Sequence, residues 1–416
     1  MSSFSISLSG LLADDQELSV LSNNLANLNT VGFKGEDAQF QDLFYQEIGA
    51  NGAGDPLQVG TGAMVGSTAT DFTQGTLETT GLSTDLAIQG NGFLQVQQGN
   101  VTQYTRDGNL SVNAQGYLVT SDGSEVMGYQ AVDGKVNTSS TLGPLQVGSG
   151  QNPPQATSNV TLALNLNAGA NADSTSAYSS EATVYDSLGD AHVVTFNFQK
   201  TAANTWSYTV TLPAADVGST GKAVSLASGT LSFDANGNLT SATKPVSLTL
   251  PAADKLADGG TLSSSLAWNL VGSGGAAEIT QVAGASTVTS TVQDGYAAGT
   301  LTGFTISSNG TIQGVFTNQQ NETLGQIALA AFPNTQGLLQ TGSSNFMASL
   351  ASGLPTVGVP GTGGLGTIAD GALENSNVDI ATQFAQLILA ERGYQANSQA
   401  ITTENQVEQA ALSILQ

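Results

Sequence analysis

Apolar residues near the start of the chain fall at Phe4, Leu8, Leu11, Leu18, Leu21, Leu25 and Leu28. Spacings of three, four and seven place them on one narrow stripe of a helix. Phe4, Leu11, Leu18 and Leu25 keep a strict seven-residue rhythm within it. The other end of the chain repeats that rhythm at Ile380, Leu387, Tyr394, Ile401 and Leu415, broken at Glu408 and flanked by Phe384, Ile388 and Leu412. Asn377 or Asp379 is placed to cap this second helix. Both segments read as coiled-coil-like helices, each too narrow in apolar surface to stay folded alone. They are expected to pair.

Between them the pattern changes to short alternating runs. Strands are expected at 92–96, 101–106, 192–198, 206–212 and 231–233, separated by turn signals such as Asp107-Gly108-Asn109 and Asp234-Ala235-Asn236-Gly237-Asn238. Phe304-Thr305-Ile306 and Thr311-Ile312 enclose Asn309-Gly310, a hairpin signal. Gly- and Pro-rich stretches at 148–154, 295–303 and 355–366 read as linkers. The fold class expected is α+β, mostly β: paired terminal helices plus two nested β-rich domains, the second inserted into the first. The boundaries are 1–70 with 370–416 for the helical core and an adjoining extended segment, 71–147 with 293–369 for the first β domain, and 148–292 for the insert.

Composition narrows the function. The 416 residues hold 8 Lys+Arg against 32 Asp+Glu, a formal net charge of -24, which argues against nucleic acid and anionic membrane surfaces as partners. With 0 Cys and 1 His, a structural zinc finger, a thiol nucleophile or an iron–sulfur cluster has no ligands to use. Charged residues are 10%, against about 25% in ordinary domains, yet 39% hydrophobic residues suffice to bury a core. The chain starts without a basic n-region or apolar h-region, and no apolar run reaches the ~20 residues of a membrane span.

Few residues invite catalysis. Gly361-Thr362-Gly363-Gly364-Leu365-Gly366 matches a dinucleotide fingerprint, but Pro360 precedes it and Gly371 interrupts the stretch after it, so a flexible linker is expected. Asp234 opens like a calcium loop, but Leu239 and Pro245 stand where Gly and Glu are required. His192 is the one candidate imidazole base and is expected as a surface strand residue. Asp186, Asp190 and Glu181 are expected as solvated carboxylates near a turn. No catalytic, cofactor or metal residues are therefore assigned, and the chain is read as a non-enzyme.

The segment 22–34 stands apart. It carries Asn23, Asn24, Asn27 and Asn29, more than a helix end needs, then Thr30, Gly32, Phe33 and Lys34. Asn side chains favour specific polar contacts, and Gly32 can stop the helix. This stretch, with Leu8-Ser9-Gly10-Leu11 before it, resembles the signature of the bacterial flagellar rod and hook axial protein family. The resemblance extends to 373–380, including Ser376 and Asn377, to 391–398, including Arg392, Tyr394 and Asn397, and to 84–93 and 104–110. The chain departs from the family at Glu391, where Gln is usual.

Within that family, the large insert makes the chain similar to hook members. The resemblance implies a structural subunit that self-polymerises into the flagellar hook, a universal joint passing motor torque from rod to filament. It implies the distal rod, a hook-capping scaffold protein, a hook–filament junction protein and the flagellar type III export apparatus as partners. It also implies an extracellular position in the hook and export without a cleaved Sec signal. A distal rod subunit and a β-rich surface glycosidase are the alternatives. The helix stripe residues Leu8, Leu11, Leu18, Leu21, Leu25, Leu28, Ile380, Phe384, Leu387, Tyr394, Ile401 and Leu415 are expected to mediate assembly.

Overall fold

The computed structural model describes residues 3–50, 56–148, 150–241, 244–272 and 274–414, so Leu415 lies outside the described residues. The chain divides into two units. The first comprises Met1–Ser149, Gly303–Val315 and Asn321–Gln416; the second comprises Gly150–Thr302 with Phe316–Gln320. The insert thus ends about ten residues later than the 292 expected, and the helical core and first β domain fall together in one unit.

In the first unit, α1 spans Ser3–Ala26 and α2 spans Ile380–Ile414. α1 stops where Asn27 turns its side chain back onto the Asn23 carbonyl at 2.9 Å. Of the two candidate caps for α2, Asp379 takes the role, accepting the Thr382 N–H at 2.8 Å. Its hydrogen bonds from Thr382, side chain and then backbone, hold its carboxyl below the usual range. The two helices pack on each other, and α1 also lies against the antiparallel strands Glu36–Asp42 and Ala63–Thr70. A second ribbon, Gln46–Ala50 with Pro56–Val59, continues this extended segment.

The remainder of the unit is β. Phe93–Gln98 pairs with Val101–Thr105 across Gly99, as the Gly-Asn turn signal predicts. The Asn309-Gly310 turn closes with Ser307 N–H on the Thr311 carbonyl, and Ile306 and Ile312 on either side are buried in the core with Leu86, Leu94 and Leu329. A smaller aromatic cluster joins Phe93, Tyr104, Phe332 and Phe346.

The second unit packs two sheets face to face. One is the antiparallel meander Tyr178–Tyr185, Ala191–Ala202, Thr205–Leu212 and Val224–Ser232. The other centres on Asn159–Asn167, flanked by Ala267–Asn269, Ile279–Val282 and Thr287–Gln293. Alternate residues of both turn inward, so Phe196, Phe198, Trp206, Leu162 and Leu164 share one core. Trp268 sits at its centre, edge-on to Phe196 at 5.1 Å and Tyr208 at 5.2 Å.

Several expectations need correcting. The linker expected at 295–303 runs into a strand, Gly299–Ile306, paired at Gly299 and Thr300 with Asn152 and Gln151. Backbone pairing therefore claims glycines whose composition suggested slack. The stretch 355–366 contains the strand Thr356–Gly358. The glycine motif at 361–366 is a turn closed by Gly361 N–H on the Gly366 carbonyl, and it leads into the strand Thr367–Asp370, not a helix. His192 is buried, not on the surface, because it has the same inward parity as Val194, Phe196 and Phe198 along its strand. Asp186 is fully buried rather than solvated.

Candidate assembly surface

The α1–α2 seam is built from small and polar residues as much as from the leucine rhythm. On α1 the buried positions are Ala13, Leu21 and Asn24, while Leu11, Leu18, Leu25 and Leu28 are half-buried. On α2 the inward stripe runs Gln383, Leu387, Ala390, Tyr394, Asn397 and Ile401, alternating four and three residues apart. Near the N-terminal end of the seam the helices come close. A Cβ on Gly10 would stand 2.8 Å from the Asn397 amide nitrogen. That amide donates to Asp14 Oδ2 at 2.8 Å. Glu17 lies one turn on, and burial, then the charge of Asp14, raises its carboxyl above the usual range.

Outside the seam, apolar side chains are exposed among the described residues, Phe4 at the edge where it borders Thr403, Val407 and Ala411 of α2. Phe4, Leu8 and Leu12 form an exposed stripe on α1 that turns polar at Asp15, Ser19 and Ser22. On α2, Ile380, Phe384 and Ile388 line up at four-residue intervals, with Leu389 at 70% exposure beside them. Ile380 and Phe384 thus lie outside the intramolecular seam. A second exposed group, Phe44, Tyr45, Ile48 and Leu57, sits on the extended ribbon. Sequence reading missed it because these residues show neither helical nor strand periodicity over a long enough run; the adjacent aromatic pair Phe44-Tyr45 was the available signal.

The Asn-rich signature turns out to be a structural node. Asn24 clamps the backbone of Glu36, donating to its carbonyl at 2.8 Å and accepting its N–H at 3.0 Å, and reaches Gln383 of α2 at 3.1 Å. Asn377 does the same from the other end of the chain, accepting the Gly35 N–H at 2.9 Å and donating to the Asp71 carbonyl at 2.8 Å. Thr30 donates to Asn27. Phe33 is half-buried, and the Ser376 hydroxyl accepts the Val378 N–H. Asn23 and Asn29 are exposed, as is Arg392, which reaches only Gln395.

Glu374 is the centre of the node. It is fully buried and receives Lys34 Nζ at 2.6 Å, the Gly75 N–H at 2.9 Å and Arg106 Nη1 at 3.3 Å. Lys34 also donates to the Thr73 carbonyl, and Arg106 to the Gly90 carbonyl. Burial pushes the Lys34 ammonium below its usual range, opposed by its hydrogen bond and charge pairing with Glu374. Gly32 completes the contact: it adopts φ 66, and its N–H bonds the Glu374 carbonyl at 2.8 Å. A Cβ there would stand 2.6 Å from the backbone of Arg106 and Asp107. The node holds the departure of the chain from α1, the approach to α2 and the turn at 106–109 in one fixed relation.

Four family models match the chain. They are described as Flagella basal body rod protein over residues 4–34, Flagellar hook protein FlgE/F/G D1 domain over 87–163, Flagellar basal body protein FlaE D2 domain over 152–296, and Flagellar basal body rod FlgEFG protein C-terminal over 369–414. The chain is 34% identical to the flagellar hook protein FlgE of Escherichia coli (strain K12), covering 97% of this chain and 98% of that one. It is also 34% identical to the flagellar hook protein FlgE of Borreliella burgdorferi, covering 97% of each. The crystal structure of Helicobacter pylori flagellar hook protein FlgE2 shares the fold, with a TM-score of 0.51 at 16% identity, over 72% of this chain and 100% of that one.

Proposed function

The chain belongs to the flagellar hook protein family, and from that premise we propose that it is the structural subunit of a bacterial flagellar hook, polymerising with copies of itself through its terminal helices. One observation carries the mode of assembly: α1 and α2 expose aligned apolar stripes, Phe4–Leu8–Leu12 and Ile380–Phe384–Ile388, left partly uncovered among the described residues. A Leu, Ile or Phe moved from half-exposed to buried contributes roughly 1 kcal/mol, and each stripe supplies three such residues per subunit. In a helical polymer the contact repeats along the whole tube. The helices form the inner wall, and the node around Glu374 sets the angle at which the chain leaves them for the β region.

The role is mechanical rather than catalytic: a joint stiff in torsion and soft in bending. In that role the subunit follows the distal rod, adds beneath a hook-capping scaffold and ends on hook–filament junction proteins. It reaches the growing end through the flagellar type III export apparatus. Among the described residues, no helix is long and apolar enough to cross a membrane. The test is complementation: a strain lacking its hook subunit should regain curved hooks and swimming with this chain, and Leu12→Asp should abolish both. Straight extensions of the rod would instead identify a distal rod subunit.

A further inference from the structure

The inserted unit holds a cluster that the assembly role leaves unused. Asp186 closes the turn between the strands Tyr178–Tyr185 and Ala191–Ala202, and His192 lies on the second of these strands. Asp216 lies in the short 3-10 helix Ala214–Val217. Asp258 lies in the neighbouring loop, whose Ala257 N–H bonds the Asp216 carbonyl and whose Thr261 carbonyl accepts the Ser187 N–H. Backbone hydrogen bonds therefore fix three separate segments around one point.

Each acid ties one end and leaves the other facing the histidine. Asp186 Oδ1 accepts the Leu188 and Asp190 N–H groups at 3.0 and 2.8 Å, while its Oδ2, fully buried, has no hydrogen-bond partner among the described residues. Asp258 Oδ1 accepts the Gly260 N–H at 2.8 Å, and its Oδ2 stands 3.4 Å from His192 Nε2. That nitrogen is also buried without a hydrogen-bond partner among the described residues. His192 Nδ1 is 3.0 Å from Asp216 Oδ2. Asp186, His192 and Asp258 each present one possible ligand atom, and the three atoms lie within 4.8 Å of one another.

We propose that Asp186 Oδ2, His192 Nε2 and Asp258 Oδ2 bind one divalent transition-metal ion, with Asp216 orienting the imidazole from behind. A carboxylate on the far nitrogen is the usual partner of a metal-bound histidine, since it fixes the tautomer that leaves Nε2 free. Ligands about 2.0–2.2 Å from a tetrahedral ion stand about 3.4 Å apart. The His192–Asp258 separation already has that value, and the wider approach of Asp186, within 4.8 Å, closes by about 1.4 Å at most. One imidazole and two carboxylates favour zinc-like ions over magnesium or calcium, which prefer all-oxygen sites. An ion here removes the unmet demand of the buried Asp186 oxygen and cross-links the 186–192 turn to the 256–262 loop. The side chain of Asp258, 24% exposed, gives it a path in.

The test uses the full chain, stripped with EDTA and titrated with Co2+ as a spectroscopic probe, then with Zn2+ as competitor. The wild type should develop a visible d–d absorption saturating at one equivalent and bleached by Zn2+. Asp258→Asn, at a partly exposed position that tolerates the change, should weaken binding at least tenfold. His192→Ala should abolish it, and Asp216→Asn should weaken it 10–100-fold as an outer partner does. A wild-type titration with no saturable one-equivalent signal overturns the proposal and leaves a water beside Asp186 as the explanation. So does a signal that Asp258→Asn and His192→Ala leave unchanged, which would assign the ion to other carboxylates of this acidic chain.

Discussion

Glu374→Leu is the sharpest perturbation available to the signature node. The glutamate is the anion shared by two buried cations, Lys34 with its side chain 0% exposed and Arg106 at 5%. The substitution removes the 2.6 and 3.3 Å ion pairs and the acceptor of the Gly75 N–H together. Removing one partner of a buried ion pair costs about 3–5 kcal/mol, because the remaining charge stays desolvated. If the node opens as a local unit, amide exchange in peptides covering 30–36, 73–78 and 371–379 should rise between about a hundredfold and a few thousandfold. Hydrogen-exchange mass spectrometry on the full monomer reads this directly, with strand Thr205–Leu212 of the inserted unit as an internal reference that should not move. The triple variant Lys34→Met, Arg106→Met, Glu374→Leu should recover most of the protection, since the uncompensated charges are then gone. Unchanged exchange in the three node peptides would refute the reasoning. An equal rise in Thr205–Leu212 would also refute it, because the node would then not be a local unit.

The same geometry fixes three further outcomes. Gly32→Ala places a Cβ 2.6 Å from the Arg106–Asp107 backbone at φ 66; it should destabilise the first unit by about 1–3 kcal/mol, seen as a lower thermal midpoint for that unit alone. Glu17→Gln should stabilise the helix pair at pH 7. Its folded pKa lies above the ordinary 4.5, so the favourable protonated state is complete below that value and is lost as pH rises through the folded one. The advantage of Gln should therefore vanish in melts below about pH 4.5, and an advantage that persists there would contradict the assignment. Leu12→Asp and Ile388→Asp fall on exposed faces and should leave the circular dichroism of the monomer unchanged while abolishing pelletable polymer; loss of monomer structure would show that these residues already have partners within the chain.

Much of the architecture was legible because it rests on periodicity. The seven-residue rhythm located both helices, alternation located the strands Ala191–Ala202 and Thr205–Leu212, and the Gly99-Asn100 turn signal located Val101–Thr105. What packs the helices was less legible. The seam uses Ala13, Asn24, Gln383, Ala390 and Asn397, residues with no hydrophobic signature, while several residues of the apolar rhythm face outward. Lys34 was singled out only through resemblance, and its partners lie 39 and 340 positions away, at Thr73 and Glu374. Such pairing is a property of topology, and no local pattern encodes it. His192 was misread for a similar reason. Its alternation with Val194 and Phe196 marked it as inward-facing, but a buried imidazole needs hydrogen-bond partners, and here they are Asp216 and Asp258, from segments distant in sequence. The start of α2 was narrowed to Asn377 or Asp379, and the turn at Asn309-Gly310 was read, because capping and turn chemistry act within a few residues.

The most direct test of the account is electron microscopy of the purified chain raised through its assembly threshold with ammonium sulfate. Both terminal segments are acidic within a chain of net charge -24, so salt screens their repulsion and strengthens apolar burial at once. The expected product is curved tubes whose inner wall, in a reconstruction, is made of α1 and α2 with Phe4, Leu12, Ile380 and Ile388 buried between subunits. A chain that stays monomeric at every salt concentration, or tubes in which those side chains remain exposed, would contradict it.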